Sequence, residues 1–357
     1  MAAIGVTHAA CAPTPRVGRK SFHTQGMSWF ARWSCITTFL LLMPLPASAG
    51  FPVMETQGFD LDGVQRDYLV YTPGNAASFS GKRPLVLVIH GGGGTHRGTL
   101  RLTKRRFNRL ADAHGFYVVY PNAIDRMWDF GEGKVSSEFS MRRDDLNYFR
   151  QLIAQVQERY PIDPDRVFAS GMSRGGQASW FLACRLPGTI RAIAPFTMPL
   201  PAFLEDDCRD GPPVPVALFN GTADPIVPYD GGEVRIRGRD RGRVLSTDET
   251  LALWRKRNGC PQGEPHSVQI DKTDDGTAVE RLEWPGCRGA PVVLYRIIDA
   301  GHTWPSGRQY LPERLVGAEP TRATRSGTLH RDTSLDSLRF KSTASSDRKS
   351  LTRKHLR

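Results

Sequence analysis

The feature that most restricts the fold is a glycine-flanked serine where one periodicity gives way to another. Gly171-Met-Ser173-Arg-Gly175 follows the run Arg166-Val-Phe-Ala-Ser170, which reads as a strand, and precedes a helical pattern from Gln177 to Leu186. A strand that passes straight into a helix must turn a tight corner. Glycines beside the serine remove the Cβ atoms that would collide there, and the corner presents Ser173 Oγ at the carboxyl end of the strand. Gly176 adds further room. The start of the following helix favours negative charge developing beside that hydroxyl.

The rest of the body repeats the alternation. Phe59 to Tyr71 reads as two strands turning at Asp62-Gly63. Pro84-Leu-Val-Leu-Val-Ile89 and Phe116-Tyr-Val-Val-Tyr120 are continuous apolar runs, as expected of strands buried on both faces. Val214 to Phe219 and Val292 to Ile298 are two more strands. Helices are predicted over Thr103 to His114, Asp144 to Tyr160 and Thr247 to Arg257. In the second, Leu146, Phe149, Leu152, Ile153 and Val156 share one face. Strands alternating with helices indicate an α/β fold with a mostly parallel central sheet flanked by helices. The segment Arg235 to Arg243 reads as a solvated loop, with an anion-binding site as the alternative.

Residues suited to acyl chemistry surround the serine in chain order. His90-Gly-Gly-Gly-Gly94 closes a buried strand, and such a loop lets backbone N–H groups approach an oxyanion. One donor is assigned to Gly92, with Gly93 as a possible sharer of the role, and the other to the N–H of Arg174. No Gly-Lys-Ser/Thr follows the glycines, and no acid ends the next strand, so phosphate-loop and dinucleotide readings fail. Asp224 lies just past the strand 214–219 in a loop stiffened by Pro225, and His302 just past the strand 292–298. Ser173, Asp224 and His302 form the predicted triad of nucleophile, acid and base. Asp206, Asp207, Asp230 and Asp299 are rival acids; His90, His96, His114 and His266 are weaker bases, with His90 assigned to bracing the glycine loop. The cysteine and histidine spacings fit no zinc site, and the mechanism needs no metal or organic cofactor.

The ends differ from the body. Of the formal net charge of +12, residues 1–49 hold +4 and residues 319–357 hold +6, which leaves +2 for 50–318. A nucleic-acid role for the body thereby loses its support. Met27 to Ala49 has the form of an export signal: Arg32, an apolar run from Cys35 to Met43, then Ala47-Ser-Ala49. The run is too short for a permanent membrane span. Cleavage is expected after Ala49, giving a secreted or periplasmic protein; residues 319–357 read as a disordered basic tail. Beyond the signal region four cysteines remain, Cys184, Cys208, Cys260 and Cys287. Of their three pairings, the sequential one is favoured because each bridge closes a modest loop.

His90-Gly-Gly-Gly-Gly94, Ser170-Gly-Met-Ser-Arg-Gly-Gly176, Gly221-Thr-Ala-Asp-Pro-Ile-Val-Pro-Tyr229 and Gly301-His-Thr-Trp-Pro305 stand in this order. Together, over residues 60–317, they resemble the polyhydroxybutyrate depolymerase / feruloyl and acetyl-xylan esterase family of secreted α/β-hydrolases. The resemblance implies the α/β-hydrolase fold and a serine ester hydrolase acting on polyester or polysaccharide-linked esters, with Ser173, Asp224 and His302 as triad. It implies a Cys260–Cys287 bridge, and it places Trp304, and Trp128 with it, near the acyl or alcohol pocket. A non-catalytic polymer- or carbohydrate-binding protein on the same fold, and a serine peptidase, are the rival readings.

Overall fold

The computed structural model describes residues 51–76, 79–131, 144–236, 238–270 and 276–310. All belong to the second of two units into which the chain divides, residues 47–357. The predicted export signal and basic tail lie outside the described residues.

The chain opens with the expected hairpin, β1 (Val53–Leu61) and β2 (Val64–Thr72). Asp62 (φ 52°) and Gly63 (φ 79°) form a two-residue turn with both residues left-handed, the geometry that lets two right-twisted strands stay paired. Next come β3 (Arg83–Ile89), α1 (His96–Leu102), α2 (Arg106–His114), β4 (Tyr117–Pro121), α3 (Asp145–Arg159), β5 (Ile162–Met172) and α4 (Arg174–Arg185). The second half holds β6 (Ala192–Phe196), α5 (Glu205–Arg209), β7 (Val216–Gly221), β8 (Gly232–Ile236), β9 (Arg239–Val244), α6 (Thr247–Arg257), β10 (His266–Gln269), β11 (Ala278–Trp284) and β12 (Val292–Ile298).

Ten strands make one sheet in the order β1-β2-β4-β3-β5-β6-β7-β12-β11-β10. From β4 to β12 neighbouring strands are parallel; the hairpin β1–β2 at one end and β11–β10 at the other are antiparallel. This is the α/β-hydrolase fold. The apolar runs are buried because each supplies both faces. Leu85, Leu87 and Ile89 of β3 join the core under α3, α4 and α6, while Val86 and Val88 join the core under α1 and α2. Tyr117 and Val119 of β4 divide from Val118 and Tyr120 in the same way.

Several elements depart from expectation, β10 and β11 among them, which were not read. The helix predicted over 103–114 begins only at Arg106, as α2, after Lys104 (φ 50°) and Arg105 (φ 56°) turn left-handed, and α1 (His96–Leu102) before it was not read. In the segment Arg235 to Arg243, read as a loop, Arg235 and Ile236 end β8 and Arg239 to Arg243 lie in β9, the two strands of a separate sheet. The short strand β6, fully buried, was missed because Ala192, Ala194 and Pro195 give it no strand signature. Both sequential disulfides are present: Cys184–Cys208 ties the end of α4 to α5, and Cys260–Cys287 closes the approach to β12.

Candidate active site

The glycines of the elbow are required by contact. A Cβ on Gly171 would stand 2.5 Å from the carbonyl of Gly175, and one on Gly175 would stand 2.1 Å from Ile89 O. Gly176 packs against β6 and the chain beyond it, where a Cβ would meet Met198 Cβ at 2.8 Å. The helix can therefore begin against the ends of β3 and β6 only if these residues lack side chains. Ser173 absorbs the turn at φ 57°, ψ −122°, a conformation a non-glycine residue holds only when its surroundings enforce it. They do: its N–H donates to Phe196 O (2.9 Å), and its carbonyl accepts from Gln177 N–H (2.9 Å).

Asp224 and His302 meet at the same sheet edge. His302 Nδ1 lies 2.7 Å from Asp224 Oδ2, with both side chains almost wholly buried. The other carboxylate oxygen, Oδ1, accepts from the N–H groups of Ile226 and Val227, each at 2.9 Å. The carboxylate is thus held from both sides, and its bond to Nδ1 leaves Nε2 as the basic ring nitrogen. Their loops are locked together: Thr222 N–H donates to Ile297 O and Ala223 N–H to Ala300 O, both at 3.0 Å. Gly221 allows this approach, since a Cβ there would lie 2.3 Å from Ala300 O.

A chain of contacts connects the pair to the elbow. Trp304, two residues past His302, stacks on Phe196 at 4.2 Å between ring centroids, and Phe196 supplies the carbonyl that holds Ser173 N–H. The indole of Trp304 is also edge-on to Phe107, and the residue is buried. It acts as the packed base of the histidine loop.

The glycine loop lies against the serine. A Cβ on Gly91 would meet Met172 O at 3.1 Å and Ser173 Cβ at 3.6 Å. Gly93 does not share the donor role: its N–H donates to Arg126 O at 2.8 Å, and Gly94 N–H is taken by Gly91 O at 2.9 Å. Gly92 sits beside the Met127 and Arg174 side chains, and the N–H of Arg174 opens α4. His90 braces this loop as expected: Nδ1 donates to Gly91 O (2.8 Å), and Nε2 accepts from Ala123 N–H (3.0 Å). Burial pushes its imidazole down to about 4, so the ring is neutral with one tautomer imposed by its partners.

Trp128 departs from its predicted place. Its ring is fully buried against His90, Tyr148 and Phe149, with Nε1 donating to His90 O at 2.9 Å. It packs beneath the glycine loop, because α3 covers it. The residue that sequence reading missed here is Arg174 as a side chain. Its Nε donates to Trp128 O at 2.9 Å and its guanidinium lies 5.2 Å over the Phe130 ring, which ties the elbow to segment 127–130. Nothing in the motif separates that role from a solvated arginine. Tyr310 was also missed; its hydroxyl donates to His302 O at 3.0 Å.

The rival residues are engaged elsewhere. Asp207 pairs with Arg185 and Asp206 with Arg209. Asp230 and Asp299 are exposed, as are His114 and His266. His96 pairs with Asp67 at 3.0 Å. Among the described residues no cluster of three His, Cys, Asp or Glu could hold a metal ion.

Residues 66–198 match the family described as "Esterase PHB depolymerase". A protein named as the esterase NocK, from Nocardia uniformis subsp. tsuyamanensis, is 27% identical over 266 residues, covering 72% of this chain and 75% of that protein. Feruloyl esterase B of Piromyces equi is 30% identical over 168 residues (46% of this chain, 30% of that one). The bifunctional acetylxylan esterase/xylanase XynS20E of Neocallimastix patriciarum is 32% identical over 198 residues (55% and 27%). The chain thus spans under a third of the length of the last two. The sheet order and the elbow give the chain the α/β-hydrolase fold, and its residues 66–198 are similar to the esterase PHB depolymerase family.

Proposed function

We propose that the protein is an exported serine esterase that cleaves esters borne by a polymer: hydroxybutyrate-type polyester, or feruloyl and acetyl groups on plant polysaccharide. Ser173 Oγ attacks the ester carbonyl carbon while His302 Nε2 takes the hydroxyl proton. The N–H groups of Gly92 and Arg174 hold the oxyanion. The tetrahedral intermediate collapses, the carbon–oxygen bond to the alcohol breaks, and His302 returns the proton to the leaving alkoxide. Water then attacks the acyl-serine by the same route, releasing the carboxylic acid and restoring Ser173. Asp224 holds the imidazole in the required tautomer and stabilises its cation.

The observation that carries this reading is the buried Asp224–His302 pair, 2.7 Å apart, on the loops that follow β7 and β12, parallel strands of the sheet that holds the elbow strand. Export is supported by the two disulfides, which persist in oxidising compartments, and by the signal-like segment before residue 50. The test is turnover of p-nitrophenyl acetate and butyrate, followed by feruloyl esters, acetylated xylan and hydroxybutyrate oligomers. Ser173→Ala, with its circular dichroism spectrum unchanged, is expected to lower kcat by about 10⁴-fold or more. Wild-type turnover in that variant sinks the mechanism.

A further inference from the structure

The chain leaves β6 through a residue whose conformation the fold forces. Thr197 has φ 47°, and among the described residues it is the only β-branched one with a left-handed φ. Two substituents on Cβ make that region a genuine outlier for such a residue. Its surroundings hold it there. Thr197 N–H donates to Phe219 O at 2.7 Å, Met198 N–H donates to Asn220 Oδ1 at 3.1 Å, and Met198 O accepts from Trp180 Nε1 at 2.9 Å. Farther on, Leu200 N–H donates to Thr250 Oγ1 at 3.0 Å, and Leu200 O accepts from Leu245 N–H at 2.9 Å. Every residue from 196 to 201 is buried. The segment is a fixed wall at the carboxyl end of the sheet.

One group in this wall is left over. Thr197 is 3% exposed, and no described residue bonds its Oγ1. A buried hydroxyl without a partner destabilises a fold, and so does a strained backbone. Both penalties fall on one residue, although valine would remove the first. Its place gives the hydroxyl a use. The elbow is one bond away, since Phe196 O accepts from Ser173 N–H. The parallel strands here run in the order β3-β5-β6-β7-β12. The glycine loop leaves β3, on one side of the elbow strand β5, and the loops of Asp224 and His302 leave β7 and β12, on the other. Thr197 leaves β6, between Ser173 and the Asp224–His302 pair. In an acyl-serine the oxyanion faces the glycine loop. The attacking water must stand where His302 Nε2 can take its proton, which is the β6 side. The side chains beside Thr197 in the wall, Phe196, Met198, Pro199 and Leu200, offer that water nothing polar.

We propose that Thr197 Oγ1 holds the water that hydrolyses the acyl-serine. The proposal rests on the serine-esterase reading and assigns a residue to the second half of that reaction. The water donates one hydrogen to Thr197 Oγ1 and gives the other, as a proton, to His302 Nε2. Its oxygen bonds to the acyl carbon, and the carbonyl electron pair moves onto the oxyanion. On collapse the bond from that carbon to Ser173 Oγ breaks, and His302 returns the proton to Oγ, which leaves the free carboxylic acid and the serine hydroxyl. Thr197 keeps its own proton throughout. Acylation consumes no water, so deacylation alone depends on this contact.

Rapid mixing with p-nitrophenyl acetate separates the two halves. The first burst of p-nitrophenol follows acylation, and acid quenching with mass spectrometry of the Ser173 peptide follows loss of the acetyl group. In Thr197→Val deacylation is expected to slow about tenfold, the worth of roughly one hydrogen bond, with acetyl-Ser173 accumulating and acylation within about twofold of the wild type. Thr197→Ser keeps the hydroxyl and is expected to stay within about threefold in both halves. Because valine replaces an unpartnered hydroxyl with a methyl group of the same shape, its midpoint of urea unfolding is expected to rise. Deacylation at the wild-type rate in Thr197→Val overturns the proposal. So does equal slowing of both halves, or a lowered unfolding midpoint, since either marks a structural role. A wild type that neither releases p-nitrophenol nor gains an acetyl group on Ser173 overturns the esterase reading, and the proposal with it.

Discussion

Gly175 illustrates how much a single missing methyl controls. With Ile89 O only 2.1 Å from where its Cβ would be, Gly175→Ala must push α4 away from β3 or rotate Ser173 out of its turn. Equilibrium urea unfolding is expected to show a loss of about 3 kcal/mol or more, the upper end for overpacking at a rigid backbone contact, together with loss of ester turnover. His90 controls the neighbouring loop through its charge. Its imidazole protonates near 6.5 when unfolded and only near 4 when folded, because burial opposes the cation. Between those values the unfolded chain binds the extra proton. Stability from this group is complete above pH 6.5 and declines as the pH falls toward 4, by up to about 3 kcal/mol. Urea unfolding at a series of pH values should show this slope in the wild type and a shallower one in His90→Gln. Equal slopes would falsify the assignment. The motif marked Ser173, Asp224 and His302 because their side chains do chemistry that few residues can do. It misplaced Trp128, because an aromatic ring near a motif serves equally well under a loop or above it.

Among the elements, α6 was read with both ends correct. Ser246 and Glu249 form a reciprocal cap at its start, and such a signal is written entirely in local residues. The helix 103–114 was misread for the opposite reason. It was started three residues early, at Thr103, whose Oγ1 and N–H instead fold back on Thr99 O to close α1. The hairpin β8–β9 was hidden by its arginines, which suppress any strand signal, and its pairing is imposed by the bridge to Pro201. The α4–α5 junction depends on a covalent tie. Replacing Cys184 and Cys208 by serine opens a loop of sequence separation 24. It is expected to cost about 3 kcal/mol in urea unfolding, while Cys260–Cys287, closing a loop elsewhere, remains oxidised.

At the β1–β2 end of the sheet, β2 is tied to α3 by a buried ion pair. Arg66 of β2 meets Asp145 at the start of α3 at 2.5 Å, both side chains being 1% exposed. Asp145 also accepts from Asp129 N–H at 2.7 Å, and Arg66 lies 3.8 Å over the Tyr148 ring. Strand, helix and the segment beneath the glycine loop therefore share one charge cluster. Asp145→Ala leaves the guanidinium buried without its counter-charge. It is expected to destabilise the protein by about 3–5 kcal/mol, measured by urea unfolding; a change below about 1 kcal/mol would contradict the cluster's role. Neither partner is distinguishable in sequence from the many surface charges around it. The long apolar strands, the glycine corner and the identities of the three candidate catalytic side chains could be read locally, since each rests on residues a few positions apart whose sterics are self-contained. The meeting of residues 224 and 302, the burial of Trp128 and Trp304, the loss of Gly93 as a donor and the pairing of β8 with β9 came only with the folded chain. Each depends on which distant segments pack together, and it is packing that decides whether a polar group finds a partner and whether an aromatic ring faces a core or a substrate.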